Sequence, residues 1–436
     1  MRRHDVTPIR ATRTVLVGLG LCAVGLLTCV LPALAQERTS RLDRVFQGLA
    51  YRPLEVERDG ALDALARPLD DFRVSAVGMP VPSPHNPDVW YRVGRRVHRS
   101  TDGGTSWLGI SPELASWEDD SAGRESSDGA DPSGAPVLAS VAESPLEPGL
   151  IWVGSADGRV YLTRDGGRSW LERDVPAPAA RMRTVALEPS VHAGGRAYVA
   201  MAGEESDEPV PFLYRTDDYG VEWTLLSRAG SEIAASSRIT VVREDPEGNG
   251  LVFAGTSDGV FVSFDTGNSW DRFQFDLPEA EVTDIRVVGR DLLVSTAGRG
   301  HFVMDEIEPL RQVMDGLATG EPYLFEPSPT YVDDGRGAIF DYLLPSFVRR
   351  VRLEVLDGQG TVLTSFTGPA EETDEQEEDR QIPGTRSGVH RIVWDLSPSE
   401  GDGTGVVPPG VYRVRMTVDG LEQERRFEVL SPPGER

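Results

Sequence analysis

Four short segments of this chain are near-copies of one another, and that repetition constrains the fold more than any other feature. They read Arg99-Ser100-Thr101-Asp102-Gly103-Gly104-Thr105-Ser106-Trp107, Leu162-Thr163-Arg164-Asp165-Gly166-Gly167-Arg168-Ser169-Trp170, Tyr214-Arg215-Thr216-Asp217-Asp218-Tyr219-Gly220-Val221-Glu222-Trp223 and Val262-Ser263-Phe264-Asp265-Thr266-Gly267-Asn268-Ser269-Trp270. The residue types are those of a β-hairpin turn. An Asp side chain accepts backbone N–H bonds, a Gly takes the positive φ, and a Trp anchors the next strand. A chain that repeats such a unit is built from copies packed on one another.

The tryptophans are spaced 63, 53 and 47 residues apart, the last close to one four-stranded propeller blade. Short β-branched and aromatic runs precede each copy. First strands are expected at 73–77, 137–141, 183–187, 239–242 and 282–287, and second strands at 89–93, 150–153, 196–200, 251–254 and 292–295. The count is five blades, with six as the alternative, over residues 36–313. The fifth ends in Gly298-Arg299-Gly300-His301-Phe302-Val303-Met304-Asp305 without a Trp, and its fourth strand is missing. A propeller hides its strand edges by closing its ring, so residues 36–57, with Tyr51-Arg52-Pro53-Leu54, are expected to supply the closing strand.

Beyond a linker expected at 314–321, the pattern changes to alternating strands over 322–436, the size of an immunoglobulin-like β-sandwich. The fold class is therefore all-β, a propeller followed by a sandwich. Two acidic tracts, 117–135 and 371–380, read as solvated loops.

Residues 1–35 carry Arg2, Arg3, Arg10 and Arg13, then an apolar run, then Ala33-Leu34-Ala35, which is the order of an export signal. Export to the periplasm, the cell surface or the medium is expected, with no membrane insertion after cleavage. Both cysteines, Cys22 and Cys29, fall inside that segment, so no disulfide is expected beyond it. The formal net charge is -26 and every basic residue other than histidine is Arg. Such acidity argues against nucleic acid and anionic membranes as partners.

The four segments resemble Asp-box repeats, also called bacterial neuraminidase repeats, with the pattern Ser-x-Asp-x-Gly-x-x-Trp. Ser100, Asp102, Gly104 and Trp107 match fully. Thr163, Asp165, Gly167 and Trp170 match with Thr for Ser, and Ser263, Asp265, Gly267 and Trp270 match again. In the third copy one residue is read as inserted between Asp217 and Gly220, ahead of Trp223. The repeat occurs in sialidases, xyloglucanases, sortilin-type propellers and a photosystem II assembly factor. A narrower resemblance is to large exported bacterial proteins described as sortilin-like or glycosyl-hydrolase-like, with a hook-cap-like immunoglobulin domain at the end. It rests on Thr296, Gly298, Arg299, Gly300, Val303 and Asp305, and on Pro409-Gly410-Val411-Tyr412, which is also similar to type IX secretion tails.

That resemblance implies no particular chemistry. Sialidases need an arginine triad and a Tyr/Glu pair, and xyloglucanase-like hydrolysis needs carboxylates facing across a cleft between two propellers. Neither is marked here. Gly255-Thr256-Ser257-Asp258-Gly259 mimics a nucleophile elbow but aligns with the hairpin Gly154-Ser155-Ala156-Asp157-Gly158 and leads into no helix. The six histidines show no metal-ligand spacing, and no cofactor, metal or catalytic residue is expected. The second-to-third turns share one propeller face, which collects Arg95, Arg96, Asp157, Asp258 and Arg299 and the insertion at 203–209 as a candidate ligand rim. The expectation is an exported, non-catalytic binding or assembly module for protein or glycan. A glycoside hydrolase or lyase and a surface protein with a sorting domain are the alternatives.

Overall fold

The repeated apolar runs pair into five antiparallel four-stranded sheets in sequence order. This is a computed structural model describing residues 45–46, 49–54, 80–114, 138–176, 182–203, 211–228, 231–235, 238–332, 335–369, 382–398 and 405–431. Blade one is Val81–Pro82, Trp90–Val93, Val97–Ser100 and Leu108–Gly109, and blade two is Leu138–Glu143, Ile151–Ser155, Val160–Thr163 and Leu171–Arg173. Blade three runs Met182–Pro189, Ala197–Gly203, Phe212–Thr216 and Thr224–Leu225. Blade four runs Ile239–Glu244, Val252–Thr256, Gly259–Ser263 and Asp271–Arg272. Export-signal residues 1–35, the acidic tracts 117–135 and 371–380, insertion residues 204–209 and the strand expected at 73–77 lie outside the described residues.

The middle strands of blades two and four are covered on both faces, which is why they read as apolar runs and not as alternation. All five residues of Val252–Thr256 are buried. Each core lies between consecutive blades. Tyr91 and Val97 pack with Ile151 and Val153, Trp152 and Leu162 with Val199 and Tyr214, and Tyr198 and Leu213 with Val242 and Trp270. The first strands of blades two to five lie against one another and so stand nearest the axis.

The fifth blade is Val282–Val288, Asp291–Thr296 and Gly300–Met304, and its outermost strand is Arg52–Pro53 from the other end of the propeller. Arg52 pairs opposite Val303 and Pro53 opposite Phe302. Proline is tolerated there because the missing N–H would face outward from an edge. Arg52 donates from Nε and Nη2 to the Asp305 carboxylate at 2.5 and 2.8 Å. The Tyr51 amide donates to Asp276 at 2.7 Å, and its ring packs on Phe273 and Phe275.

The expected linker is instead structured. A helix spans Glu308–Thr319, stopped by Gly320 in the left-handed region, and it buries Leu310 and Val313. Gly316 and Gly320 made this stretch look like a connector, but Pro309 in the first turn and the apolar residues three apart at 310 and 313 are a short helix's signals. Beyond it, the strands Tyr323–Leu324, Ala338–Leu344 and Gly388–Trp394 form one sheet. A five-stranded sheet faces it, and Phe340, Trp394, Tyr412 and Phe427 pack between the two. The sandwich is not a free appendage. Phe325, Leu343 and Val389 share one core with Phe46, Met304, Ile307 and Leu310 of the propeller side. Arg391 ties this seam, donating to the Asp305 and Glu306 carbonyls at 2.8 and 2.7 Å and to the Asp341 carboxylate. No described helix is long and apolar enough to cross a membrane.

Tyr51→Ala removes a buried aromatic from the closing strand and should cost about 3–5 kcal/mol, as large-to-small core changes of aromatic residues do. Chemical denaturation of the purified chain measures it. An unchanged midpoint would mean that the closing strand adds nothing to the fifth blade.

Candidate functional site

Each Ser/Thr-x-Asp-x-Gly-x-x-Trp segment joins the third and fourth strands of its blade through one small hydrogen-bond lattice. In the first, Ser100 Oγ donates to Asp102 at 2.6 Å and accepts the Gly104 N–H at 2.8 Å. Asp102 accepts the Ser106 N–H at 2.8 Å and the Ser106 hydroxyl at 2.5 Å. Thr163, Asp165, Gly167 and Ser169 repeat this, as do Ser263, Asp265, Gly267 and Ser269. Gly104 and Gly167 sit at φ of 89° and 95°, where a side chain is strained. Hydrogen bonds from Ser100 and Ser106 lower the Asp102 pKa to about 2, and those from Ser169 do the same for Asp165.

The third copy corrects the sequence reading. Thr216 Oγ1 donates to Asp218 at 2.9 Å, and Asp218 accepts the Glu222 N–H at 2.9 Å. The box is thus Thr216, Asp218, Gly220 and Trp223 with no inserted residue. Asp217 lies one place earlier and does something else, described below. The spacing of Thr216, Asp218, Gly220 and Trp223 fits the pattern by itself, so the insertion came from taking Asp217 in place of Asp218. The tryptophans differ as well: Trp270 is buried, while Trp107, Trp170 and Trp223 are half-buried. Trp170 Nε1 donates to the Ile110 carbonyl of the preceding blade at 3.0 Å, so this residue bridges blades.

The candidate rim residues occupy second-to-third turns of blades one, two, four and five, at the end of the blades opposite the box turns. Arg95 and Arg96 both reach Glu113, at 3.6 and 3.9 Å. Asp157 accepts from Ser155 and lies 3.3 Å from Arg159. The Asp258 N–H donates to Thr256 and its carbonyl accepts from Arg272. Arg299 is exposed in the turn before Gly300. Arg95, Arg96 and Asp157 thus each find a partner within their own blade.

On the box-turn side, a different arrangement recurs at two blade junctions. Between blades three and four, Glu244 is fully buried and accepts from Ser190 Oγ at 2.5 Å, the Val191 N–H at 2.9 Å and the Tyr198 hydroxyl at 3.3 Å. His192 Nε2 donates to the Asp245 carbonyl at 2.8 Å. Arg196 and Arg215 then close the surface above, gripping the Asp217 carboxylate through their Nε atoms at 2.6 and 2.9 Å. Arg215 also donates to the Thr266 carbonyl and hydroxyl at 2.7 Å each. Burial alone would push the Asp217 carboxyl up, but the two guanidiniums hold it below its ordinary value.

Between blades one and two the lower half is the same. Glu143 accepts from Ser83 Oγ and from the Gly149 N–H at 2.7 Å, and His85 Nε2 donates to the Ser144 carbonyl at 2.8 Å. Burial and then Glu143 push the Tyr91 hydroxyl's pKa up, and Arg99 also hydrogen-bonds that hydroxyl. The upper half differs. Val89 stands where Arg196 does, Thr101 where Asp217 does, and Gly166 where Thr266 does. The result is an open cleft of about 720 Å³ lined by Tyr91, Arg99, Glu143, Arg164 and Arg168 among others. Arg164 stacks over Tyr219, 3.7 Å from its ring centre, and lies 3.9 Å from Glu147. Arg99 and Arg168 form no ion pair among the described residues. The sequence held a sign of the junctions in Pro82-Ser83-Pro84-His85 and Pro189-Ser190-Val191-His192, which metal spacing alone overlooked. Among the described residues no group of His, Cys, Asp and Glu could hold a metal ion.

No family model and no curated protein matches the chain. Among solved structures it is similar to an ancestral GH74 enzyme, at 15% identity over 68% of this chain and 38% of that one, with a TM-score of 0.40. It is similar to YCF48 bound to D1 peptide, at 16% identity over 62% of this chain and 80% of that one, with a TM-score of 0.34. BamB from Moraxella catarrhalis is another, at 11% identity over 53% and 59%, with a TM-score of 0.32. The chain thus spans about two fifths of the GH74 enzyme's length. The likeness is one of propeller fold.

Because Asp165 titrates near 2 in the folded chain against an ordinary 3.8, its contribution to stability is present above about 3.8 and is lost as pH falls toward 2. Asp165→Asn should therefore melt below wild type at neutral pH, with the gap narrowing as the solution is acidified through that window. Thermal melts of both proteins across the range check it. A gap independent of pH would assign the loss to something other than the carboxylate.

Proposed function

We propose that this chain is an exported, non-catalytic propeller–sandwich protein that binds protein or glycan, its turns being Asp-box repeats of a binding or assembly module. The observation that carries this reading is how the carboxylates are used. Glycoside hydrolysis asks for one carboxyl with a raised pKa beside a second across a substrate-sized gap. In the cleft between blades one and two, Glu143 is tied to Ser83 and the Gly149 amide, and Asp165 is held near 2 by its box. Asp165 therefore stays ionised at neutral pH, and the Glu143 oxygens are already taken up in fastening the two blades.

The carboxyl whose pKa burial does raise, Glu306, faces a crevice of about 10 Å³ at the seam, beside Arg290 at 3.2 Å and Ser328 at 2.5 Å. That space takes a single water and no sugar ring. Glu188, also raised by burial, is paired with Arg243 at 2.7 Å inside the blades. The cleft's guanidiniums and backbone groups, carried on the turns of two packed blades, instead suit recognition.

Purified protein incubated with a panel of polysaccharides and sialosides should release no reducing ends and no sialic acid. Turnover on any of them, lost on Glu143→Gln or Glu306→Gln, would overturn the non-catalytic reading.

A further inference from the structure

The two matching junctions make the chain its own reference. Between blades three and four, Arg215 has an internal carboxylate, Asp217, which a second arginine, Arg196, also grips. The residue equivalent to Arg215 is Arg99, since each immediately precedes the Ser or Thr of its box and faces the next blade. Three replacements have removed what closes the junction. Thr101 supplies no carboxylate, Val89 supplies no second guanidinium, and Gly166 supplies no hydroxyl over the gap. Arg168 stands where Asn268 does, so the mouth gains a cation on the blade-two side, with Arg164 beside it. The floor, meanwhile, keeps the serine–glutamate and histidine–carbonyl bonds of its closed counterpart, here through Ser83, Glu143 and His85.

We infer that the cleft between blades one and two binds an acidic peptide segment, with an Asp or Glu side chain of the ligand taking beside Arg99 the place that Asp217 fills beside Arg215. A carboxylate supplied from outside would restore the charge-assisted hydrogen bond that the third junction makes internally. Arg168 and Arg164 then face the neighbouring carboxylates of the segment. On a chain with net charge -26 the lining gathers three arginines, Arg99, Arg164 and Arg168, against two carboxylates, Glu143 and Asp165, a local departure from the overall acidity that favours an anionic partner there. A peptide fits better than a uronate glycan because the described lining offers no exposed Phe, Tyr or Trp face on which a sugar ring could stack. Tyr91 is buried with its hydroxyl engaged, and the His85 ring is tied through Nε2 to the Ser144 carbonyl. This inference rests on the binding-module reading and gives its ligand class.

The test uses the full chain and three fluorescent probes: a short peptide of alternating Glu and Gly, its Gln counterpart, and an oligogalacturonate. Anisotropy titration should show the Glu peptide bound about ten-fold tighter than the Gln peptide, as a hydrogen bond between charged groups implies. That preference should weaken as salt rises. Thr101→Asp places an internal carboxylate where Asp217 lies and should erase the preference with the melting temperature unchanged. Arg99→Gln, which removes the charge and keeps a donor for Tyr91, should erase it too. Equal or absent binding of the two peptides, an unaffected Thr101→Asp variant, or tighter binding of the oligogalacturonate would each overturn the inference. Sugar turnover would instead sink the non-catalytic reading, so the two failures are distinguishable.

Discussion

Every blade of a propeller has to be fastened to the next, and in this chain a carboxylate at the last position of the first strand does that at two junctions. Glu143 and Glu244 each gather a serine hydroxyl, a backbone amide and a tyrosine hydroxyl from the neighbouring blade or hairpin. A buried carboxylate is expensive unless its oxygens are satisfied, so each glutamate dictates what must surround it. The Ser-x-His turn is the answer in both cases, with the imidazole tying off a backbone carbonyl of the next blade. Inter-blade cores of Tyr, Trp, Val and Ile fill the space beneath. Once this floor exists, the box turns above it can vary without unfastening the blades.

The same logic explains why the chain's two ends of the propeller meet. The fifth blade has three strands of its own, and Arg52–Pro53 becomes the fourth, clamped by Asp305. The backbone of Asp305 and Glu306 is in turn the acceptor for Arg391 of the sandwich. Closing strand, fifth blade and sandwich therefore share one set of contacts around residues 304–307. A change at Asp305 would be felt in all three, because one carboxylate and its own carbonyl serve two arginines.

How much of this was legible in the sequence follows from where the information is local. The box turns are local: Ser100, Asp102 and Gly104 bond within five residues, so composition and spacing expose them. Even there the third copy was misread, although the spacing of Thr216, Asp218, Gly220 and Trp223 already fits the pattern; what the spacing does not reveal is that Asp217 is held by Arg196 across the hairpin. The helix at Glu308–Thr319 was hidden by its glycines and by its buried face being supplied from the sandwich. The rim arginines were placed on the right turns, but Glu113, which meets Arg95 and Arg96, lies beyond the fourth strand and carries no motif. The cleft was illegible for a deeper reason. It is defined by three absences, at Val89, Thr101 and Gly166, that have meaning only once the junctions are superposed in register.

One junction is closed by its own side chains, and its counterpart is open over a floor with the same serine–glutamate and histidine–carbonyl bonds. Hydrogen–deuterium exchange on the intact chain compares them within one molecule, through the amides of 83–91 and 99–101 against those of 190–198 and 215–217. Exchange should be faster at the mouth of the first junction than at the third, with slowing confined to the first when the Glu-rich peptide is added. Equal exchange at the two junctions, or protection appearing at the third, would contradict it.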